Sequence, residues 1–209
     1  MKVKRILVLL SVLFMAGYGV AHADAIPYPN VGTPNYTTYT FTATTNGDIV
    51  AYFVGSTASY DNELGLFVNG KSTGVIGLDD HSSTIGQKLD LGYAHAGDTL
   101  VFVLQNNTLG KDAYSDPSMN VSYDNNSTDG HNHVYSTPYT ATSPIFAGVP
   151  VGTFVSFEDL PFPNSDFNYN DEDFVFTNVS TQAPEPCTML LFGSGLVGLA
   201  ALRKKFKNA

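Results

Sequence analysis

Short segments of β-branched and aromatic residues, separated by Asn, Asp and Gly, run through the middle of this 209-residue chain. Residues 36–44 alternate Thr with larger side chains, the two-residue period of a half-buried strand. Residues 99–104 are apolar enough for a central strand. Asn-Gly pairs at 46–47 and 69–70 predict hairpin turns. No window from Asp24 to Ala183 combines helical periodicity with helix-forming residues, so we predict an all-β body, a β-sandwich or jelly-roll-like fold.

The same pattern predicts further strands at 64–68, 75–76, 119–123, 134–137, 151–157 and 173–179. Residues 112–132 are polar and rich in turn formers, which indicates a long surface loop or a lobe boundary.

Charge is distributed very unevenly along the chain. Seven of the ten basic residues lie at the two ends, and the body from Asp24 to Ala183 holds three lysines and 18 acids, a net charge of −15. Because nucleic-acid affinity comes chiefly from Lys and Arg that neutralise phosphates, this excludes a nucleic-acid partner. Divalent cations fit such a body better. The single Cys excludes a disulfide framework within the chain.

The N-terminus has the three parts of a secretory signal peptide. Basic residues precede the apolar run 6–16, and Ala21 and Ala23 match the small-residue rule for cleavage. We therefore expect a signal helix in residues 1–23, removed by signal peptidase, and a mature chain that begins near Asp24. The alternative is a transmembrane anchor, but the apolar run is short for one.

The C-terminus has a different three-part order. Pro184, Glu185 and Pro186 precede the uncharged stretch 187–202, and a basic cluster follows, which contains Arg203, Lys204 and Lys205. As a helix the stretch would be about 24 Å long, a marginal transmembrane span for a hydrocarbon core of about 30 Å. The basic cluster should hold its far end in the cytoplasm.

Residues 184–207 resemble the PEP-CTERM sorting signal of exopolysaccharide-producing Gram-negative bacteria. The resemblance implies recognition by exosortase, a membrane-embedded processing enzyme, with cleavage near Pro184, Glu185 and Pro186. It also implies transient anchoring in the inner membrane, followed by release to the cell surface or extracellular matrix. Tails of this kind occur on proteins of many activities, so the tail gives a destination and not an activity. A plain tail anchor is the alternative.

An acidic Asp/Asn motif lies near the end of the body, at residues 157–176. It combines a Glu-Asp pair with closely spaced acids and amides, and its candidate ligands are Glu158, Asp159, Asp166, Asn168, Asn170, Asp171 and Asp173. In an extended segment Asp166, Asn168 and Asn170 would face one way. Ca²⁺ binds six to eight oxygens of these types. The spacing is not that of an EF-hand. The alternative is a cluster of Asx turns, in which these side chains cap their own backbone.

The same stretch resembles a domain of unknown function that is common in bacterial surface proteins. The signature of that domain is a Glu-Asp pair followed by Asp-x-Asp-Tyr-Asn-Asp and an apolar strand. Asn168 stands where the signature has Asp, which removes one charge from any inherited metal site. The resemblance supports the calcium interpretation beside that of a structural turn, and both stay open.

His131 and His133 lie two residues apart, a spacing that places two imidazoles on one face of an extended segment, with Asp129 nearby. Zinc would need one or two further ligands, and His81 and His95 are the other histidines of the body. A solvated pair in a polar loop is the simpler interpretation.

Catalytic motifs are absent from the sequence of the body. There is no G-x-S-x-G, no H-E-x-x-H and no phosphate-binding loop. Glu158 and Asp159 are adjacent, so within a strand they would point to opposite sides and could not form a glycosidase pair. We therefore expect a secreted, non-enzymatic surface or matrix protein with a calcium-stabilised fold. The alternative is a polysaccharide-binding module, or an ice-binding-like surface protein, with exposed Tyr side chains and exopolysaccharide as its partner.

Overall fold

A computed structural model describes residues 26–125, 128, 130–140, 146 and 148–182. Eleven strands and one short 3₁₀ helix, η1, are formed within these residues. Their bounds are β1 Thr40–Ala43, β2 Gly47–Gly55, β3 Asn62–Val68, β4 Lys71–Gly77, β5 Lys88–Ala94, β6 Thr99–Asn106, β7 Lys111–Tyr114, η1 Pro117–Met119, β8 Val134–Tyr139, β9 Gly152–Phe157, β10 Glu172–Thr177 and β11 Val179–Gln182.

The strands form two antiparallel sheets, which confirms the predicted all-β class. The first sheet has the order β11-β1-β6-β3-β4, with β7 also paired to β6. The second has the order β5-β2-β10-β9-β8. Strand β6 is central in the first sheet, as its apolar sequence predicts. In the second sheet β9 and β10 are neighbours, and the loop that joins them carries the acidic motif.

The hydrophobic core lies between the two sheets. Phe102 of β6 stacks on Phe176 of β10 with ring centroids 3.9 Å apart, and both side chains are fully buried. The second sheet is covered on its other face as well, because Val54, Phe154 and Val175 form a separate buried cluster there. Strands β9 and β10 are therefore buried on both faces.

The two Asn-Gly pairs have different outcomes. Asn69 and Gly70 have φ angles of 48° and 75° and join β3 to β4, so the predicted hairpin is confirmed. The hairpin predicted at Asn46-Gly47 is wrong, because β1 and β2 lie in different sheets. Phe41 and Ile49 both face the core, one from each sheet, so the chain must cross between the sheets here.

The strand predicted at 119–123 is also wrong. Pro117–Met119 is a 3₁₀ helix that Asp116 caps by accepting a hydrogen bond from the Ser118 amide (2.9 Å), and turns follow it. The described part of 112–132 is more than a surface loop. Its Asn120 and Tyr123 are buried, so this segment folds back onto the end of the sandwich.

One end of the core is closed by polar side chains instead of apolar ones. Alternate side chains of a strand face the same side, so Glu172 of β10 faces the core like Phe174 and Phe176. In the same way, Asn62 of β3 faces the core like Leu64. Asn62 pairs directly with Asn106, the last residue of β6. The interior thus ends in a polar layer, and the acidic motif lies at that end.

The terminal predictions concern residues outside this description. The signal helix of 1–23 and the transmembrane helix of 187–202 both lie outside the described residues. Within the part of the chain that is described, no helix is long and apolar enough to cross a membrane.

Candidate metal centre

The loop between β9 and β10 brings three carboxylates together. One oxygen each from Glu158, Asp159 and Asp171 lies within 4.8 Å of the other two, and all three residues are buried. The amide of Asp159 donates to Asp171 Oδ2 (2.8 Å), and the amide of Asp171 donates to the Phe157 carbonyl (3.0 Å). Glu158 and Asp159 converge because both follow the end of β9, so the alternation of a strand does not separate them. That step of the sequence analysis is wrong.

The backbone of this carboxylate cluster is fixed from the neighbouring strands. Tyr123 donates its hydroxyl to the Asp159 carbonyl, and the Asn106 amide donates to the same oxygen (3.2 Å). The Glu158 amide donates to the His133 carbonyl (2.9 Å). The ligand geometry is therefore held by buried hydrogen bonds from three separate segments, which is what a preorganised site requires.

Electrostatics disfavour this cluster when it is ionised and has no cation. Burial and the charge of Asp166 raise the pKa of Glu158 from 4.5 to about 7. Burial raises the pKa of Asp171 too, and the charges of Glu158 and Asp159 add to that effect. The pKa of Asp159 is raised chiefly by burial. A cation bound among the three carboxyl groups would stabilise their ionised forms and so lower all three pKa values.

Neither Lys nor Arg pairs with the cluster in the described residues, and the charge of His133 lowers the pKa values of Glu158 and Asp159 less than burial raises them. The ion pairs found there all join Asp to His, and none involves Lys or Arg. Glu158 Oε2 is buried and has no hydrogen-bond partner within the protein. Such an oxygen is costly to bury unless something binds it. Oxygen-rich, anionic and partly unsatisfied, the cluster has the chemistry of a site for a hard cation such as Ca²⁺.

The other predicted ligands lie in turns of the same loop. Asp166 accepts from the Asn168 amide and Asn168 accepts from the Asn170 amide, each at 3.2 Å. Phe167 and Tyr169 have φ angles of 55° and 52°, so the segment is not extended and the one-face arrangement does not form. These contacts are the Asx turns of the alternative interpretation.

Asp173 lies on the second sheet and takes part in a different contact. Its phase along β10 is that of Val175 and not that of the core-facing Phe174. Ser156 of the adjacent strand donates its hydroxyl to Asp173 Oδ1. The structure thus gathers three of the seven predicted ligands and places Asp173 apart from them.

The two histidines share one carboxylate, that of Asp124. His133 Nε2 lies 2.9 Å from Asp124 Oδ1, and His131 Nδ1 lies 3.2 Å from Asp124 Oδ2. His133 is buried, so the expectation of a solvated pair is wrong for it. Its Nδ1 faces the Glu158 carbonyl at 2.9 Å. Both partners of this ring are acceptors, so the ring satisfies both only when each nitrogen carries a proton.

Asp124 stays ionised in this setting. Its burial alone would raise its pKa, but hydrogen bonds from His133 and from the amides of His131 and Phe162, together with the charge of His133, lower the pKa to about 2. Asp124 therefore ties His131 and His133 to the loop after β9. Asp124 was not among the predicted site residues, and nothing in the sequence distinguishes it from the other aspartates of this polar, turn-rich segment.

A pocket of about 250 Å³ opens beside Glu158. Its wall includes Tyr36, whose side chain is 80% exposed, together with aromatic rings of the loop after β9 and of the histidine segment. The His131 ring stacks on Phe162 with centroids 3.7 Å apart. Aromatic faces beside a polar floor are a surface that a sugar ring could contact.

Comparison with known families finds one match. Residues 182–205 match the family model described as the PEP-CTERM protein-sorting motif, which confirms the resemblance found in the sequence. The chain carries this motif, and the motif indicates export and surface or extracellular sorting by an exosortase-type system. No curated protein and no solved structure matches the chain.

The raised pKa values predict how the stability of metal-free protein changes with pH. A group whose pKa rises on folding stabilises the fold below its unfolded pKa, and this contribution is lost as the pH rises through the folded pKa. For Glu158 that window runs from 4.5 to about 7. Melts in a chelator should therefore give a Tm several degrees lower at about pH 8 than at about pH 5.

Glu158→Gln, which is neutral throughout this window, should flatten the pH dependence. Asp48→Asn, an exposed position at the far end of β2, should leave it unchanged. A metal-free protein that is equally stable at both pH values, or more stable at the higher one, would contradict the electrostatic description.

Proposed function

We propose that this chain is a secreted, non-enzymatic protein of the cell surface or extracellular matrix whose β-sandwich body is stabilised by Ca²⁺. The observation that carries the calcium assignment is the buried cluster of Glu158, Asp159 and Asp171, which has no Lys or Arg partner among the described residues. The sorting motif supports the delivery route. Signal peptidase and an exosortase-like enzyme are the processing partners, and the membrane is a transient stage.

Calcium fits this cluster for reasons of charge and of location. The three carboxylates offer oxygens from side chains already held in place by backbone hydrogen bonds, so little ordering is required on binding. Extracellular calcium modules bind in the range of about 10⁻⁴ to 10⁻³ M, which suits a protein that folds outside the cytoplasm. Coupling of folding to calcium would then favour the ordered body only after export.

The non-enzymatic assignment is supported by the spacing of the same carboxylates. Glycosidases hold two carboxyl groups about 5 to 9.5 Å apart, on either side of a scissile bond. Here the oxygens of Glu158, Asp159 and Asp171 approach within 4.8 Å, and the residues are at most 8% exposed. This close, buried arrangement suits a single ion better than a substrate bond.

The first prediction of this proposal concerns processing. Replacement of Pro184, Glu185 and Pro186 with Ala should leave a longer protein that stays in the membrane fraction, because the recognition residues are lost. Intact-mass measurement of protein recovered from producing cells and medium checks this. Unchanged mass and unchanged release of the variant would contradict exosortase-type sorting.

The second prediction concerns calcium. A ligand that binds only the folded state stabilises it by RT ln(1 + [L]/Kd), which is about 1.4 to 2.7 kcal/mol at 10 mM calcium for the affinities above. Melts of the purified full-length chain should therefore shift upward by roughly 3 to 10 °C relative to NaCl of matched ionic strength.

Glu158→Gln combined with Asp171→Asn should remove most of this calcium shift, and Asp48→Asn should retain it. Wild-type protein that melts at the same temperature in calcium and in matched NaCl would show that the cluster is not a calcium site.

A second candidate function is polysaccharide binding. The pocket beside Glu158 favours it, because Tyr36 is 80% exposed there and Phe162 and Phe167 also line the wall. A ring that remains exposed beside a polar floor can stack on a sugar at little conformational cost. Exopolysaccharide of the producing cells is the polymer that the sorting route would bring into contact with the pocket.

Affinity electrophoresis in gels that contain this exopolysaccharide tests the second candidate. Tyr36→Ala should weaken retardation on the order of tenfold if stacking contributes about 1.4 kcal/mol. Tyr93→Ala is the control, because Tyr93 of β5 is also exposed (55%) and lies outside the pocket wall. If wild type and the Tyr36 variant migrate equally in the gels that contain polymer, the pocket is excluded as a polymer site.

A further inference from the structure

Unpartnered buried oxygens occur in a second place, at the end of the core where the polar layer lies. Both carboxylate oxygens of Glu172 have no hydrogen-bond partner within the protein, and neither have Asp80 Oδ2 and Asn62 Oδ1. Glu172 and Asn62 are fully buried, and the Asp80 side chain is inaccessible as well. None of these residues was a candidate in the sequence analysis.

The strand register directs Glu172 inward. It shares its phase with Phe174 and Phe176, which pack in the core between the sheets. Asn62 shares its phase with Leu64 and Leu66 of the opposite sheet. The two side chains therefore enter the same interior end from opposite sheets, one as a carboxylate and one as an amide.

Asn62 links the surrounding carboxylates. Its backbone amide donates to Asp80 Oδ1 (2.8 Å), and its side-chain amide donates to Asp159 Oδ2 (2.9 Å). Neither of these bonds uses Asn62 Oδ1 or Asp80 Oδ2, so both oxygens remain acceptors without a donor. The pKa of Glu172 is raised first by burial and then by the charges of Asp80, Asp79 and Asp159, so these acids disfavour its ionised form.

The four free atoms are all acceptors when the acids are ionised. A proton on Glu172 would neutralise one charge but would serve only one acceptor. A divalent cation can contact several oxygens at once and compensates the charge as well. Asp61, Asp80 and His81 each have a ligand atom within 4.8 Å of the other two, which brings a further acid and an imidazole to the outer side of this group.

We propose that Glu172, Asp80 and Asn62 form a second, enclosed site for a hard divalent cation, distinct from the cluster of Glu158, Asp159 and Asp171. Calcium suits it better than Mg²⁺, which usually keeps several water ligands and therefore needs an open site. The bound cation joins the start of β10 in one sheet to the start of β3 and the segment after β4 in the other. The site is thus a clamp between the two sheets.

Equilibrium dialysis of the purified full-length chain against calcium, with metal analysis of the bound fraction, tests this site. Glu172→Gln and, independently, Asp80→Asn should each bind one calcium ion fewer than wild type. Glu158→Gln combined with Asp171→Asn serves as the comparison for the first cluster, and Asp48→Asn as the control for loss of a surface charge. Far-UV circular dichroism verifies that each variant is folded.

The outcomes separate the two sites. If the Glu158 and Asp171 variant binds as much calcium as wild type while Glu172→Gln binds one ion fewer, the second site stands and the first is rejected. If folded Glu172→Gln and Asp80→Asn both bind as much calcium as wild type, the second site is overturned. It is also overturned, without any Glu172 variant, if all calcium bound by wild type is lost in the Glu158 and Asp171 variant.

Discussion

Burial of ionised carboxylates is the constraint on which this structure depends. Seven acids are buried in the described residues, namely Asp80, Asp124, Glu158, Asp159, Asp171, Glu172 and Asp173. An isolated buried charge is costly unless a counter-charge or a full set of hydrogen bonds compensates it. Asp124 has both, from His133 and two backbone amides. Glu158 retains one oxygen and Glu172 two oxygens without a partner in the protein, and this contrast separates a structural ion pair from a candidate cation site.

The sandwich explains how so many acids come to one end. Strands β9 and β10 are covered on both faces, so Glu172 and Asp173 of β10 cannot turn toward solvent without leaving the sheet. The buried amides of Asn62 and Asn106, together with Tyr123, then fix the backbone and one carboxylate oxygen of Asp159. A cation at this end would bind groups from both sheets, and its binding would be coupled to the packing of the core between them.

Sequence periodicity was sufficient for the fold class and for most strands. It predicted the hairpin at Asn69-Gly70 and the central strand β6, because local turn chemistry and apolar content decide those features. It failed at Asn46-Gly47, where the demand to bury Phe41 and Ile49 in opposite sheets outweighs the turn preference. It failed at 119–123, where the Asp116 cap and Pro117 begin a 3₁₀ turn.

The candidate site was only partly predictable. The acidic motif pointed to Glu158, Asp159 and Asp171, but which of its seven members gather depends on backbone angles at Phe167 and Tyr169 that the sequence does not specify. Glu172 was available as a signal, since a carboxylate stands at the core phase of an otherwise apolar strand. Asp80 and Asn62 were not, because their relation to Glu172 arises only when the two sheets pack.

Anomalous diffraction from crystals of the purified protein grown in calcium would locate bound ions directly, without any mutation. We predict anomalous peaks among Glu158, Asp159 and Asp171 and among Glu172, Asp80 and Asn62. Crystals grown in millimolar calcium that show no peak at either place, with these carboxylates bonded only to protein and water, would contradict this prediction.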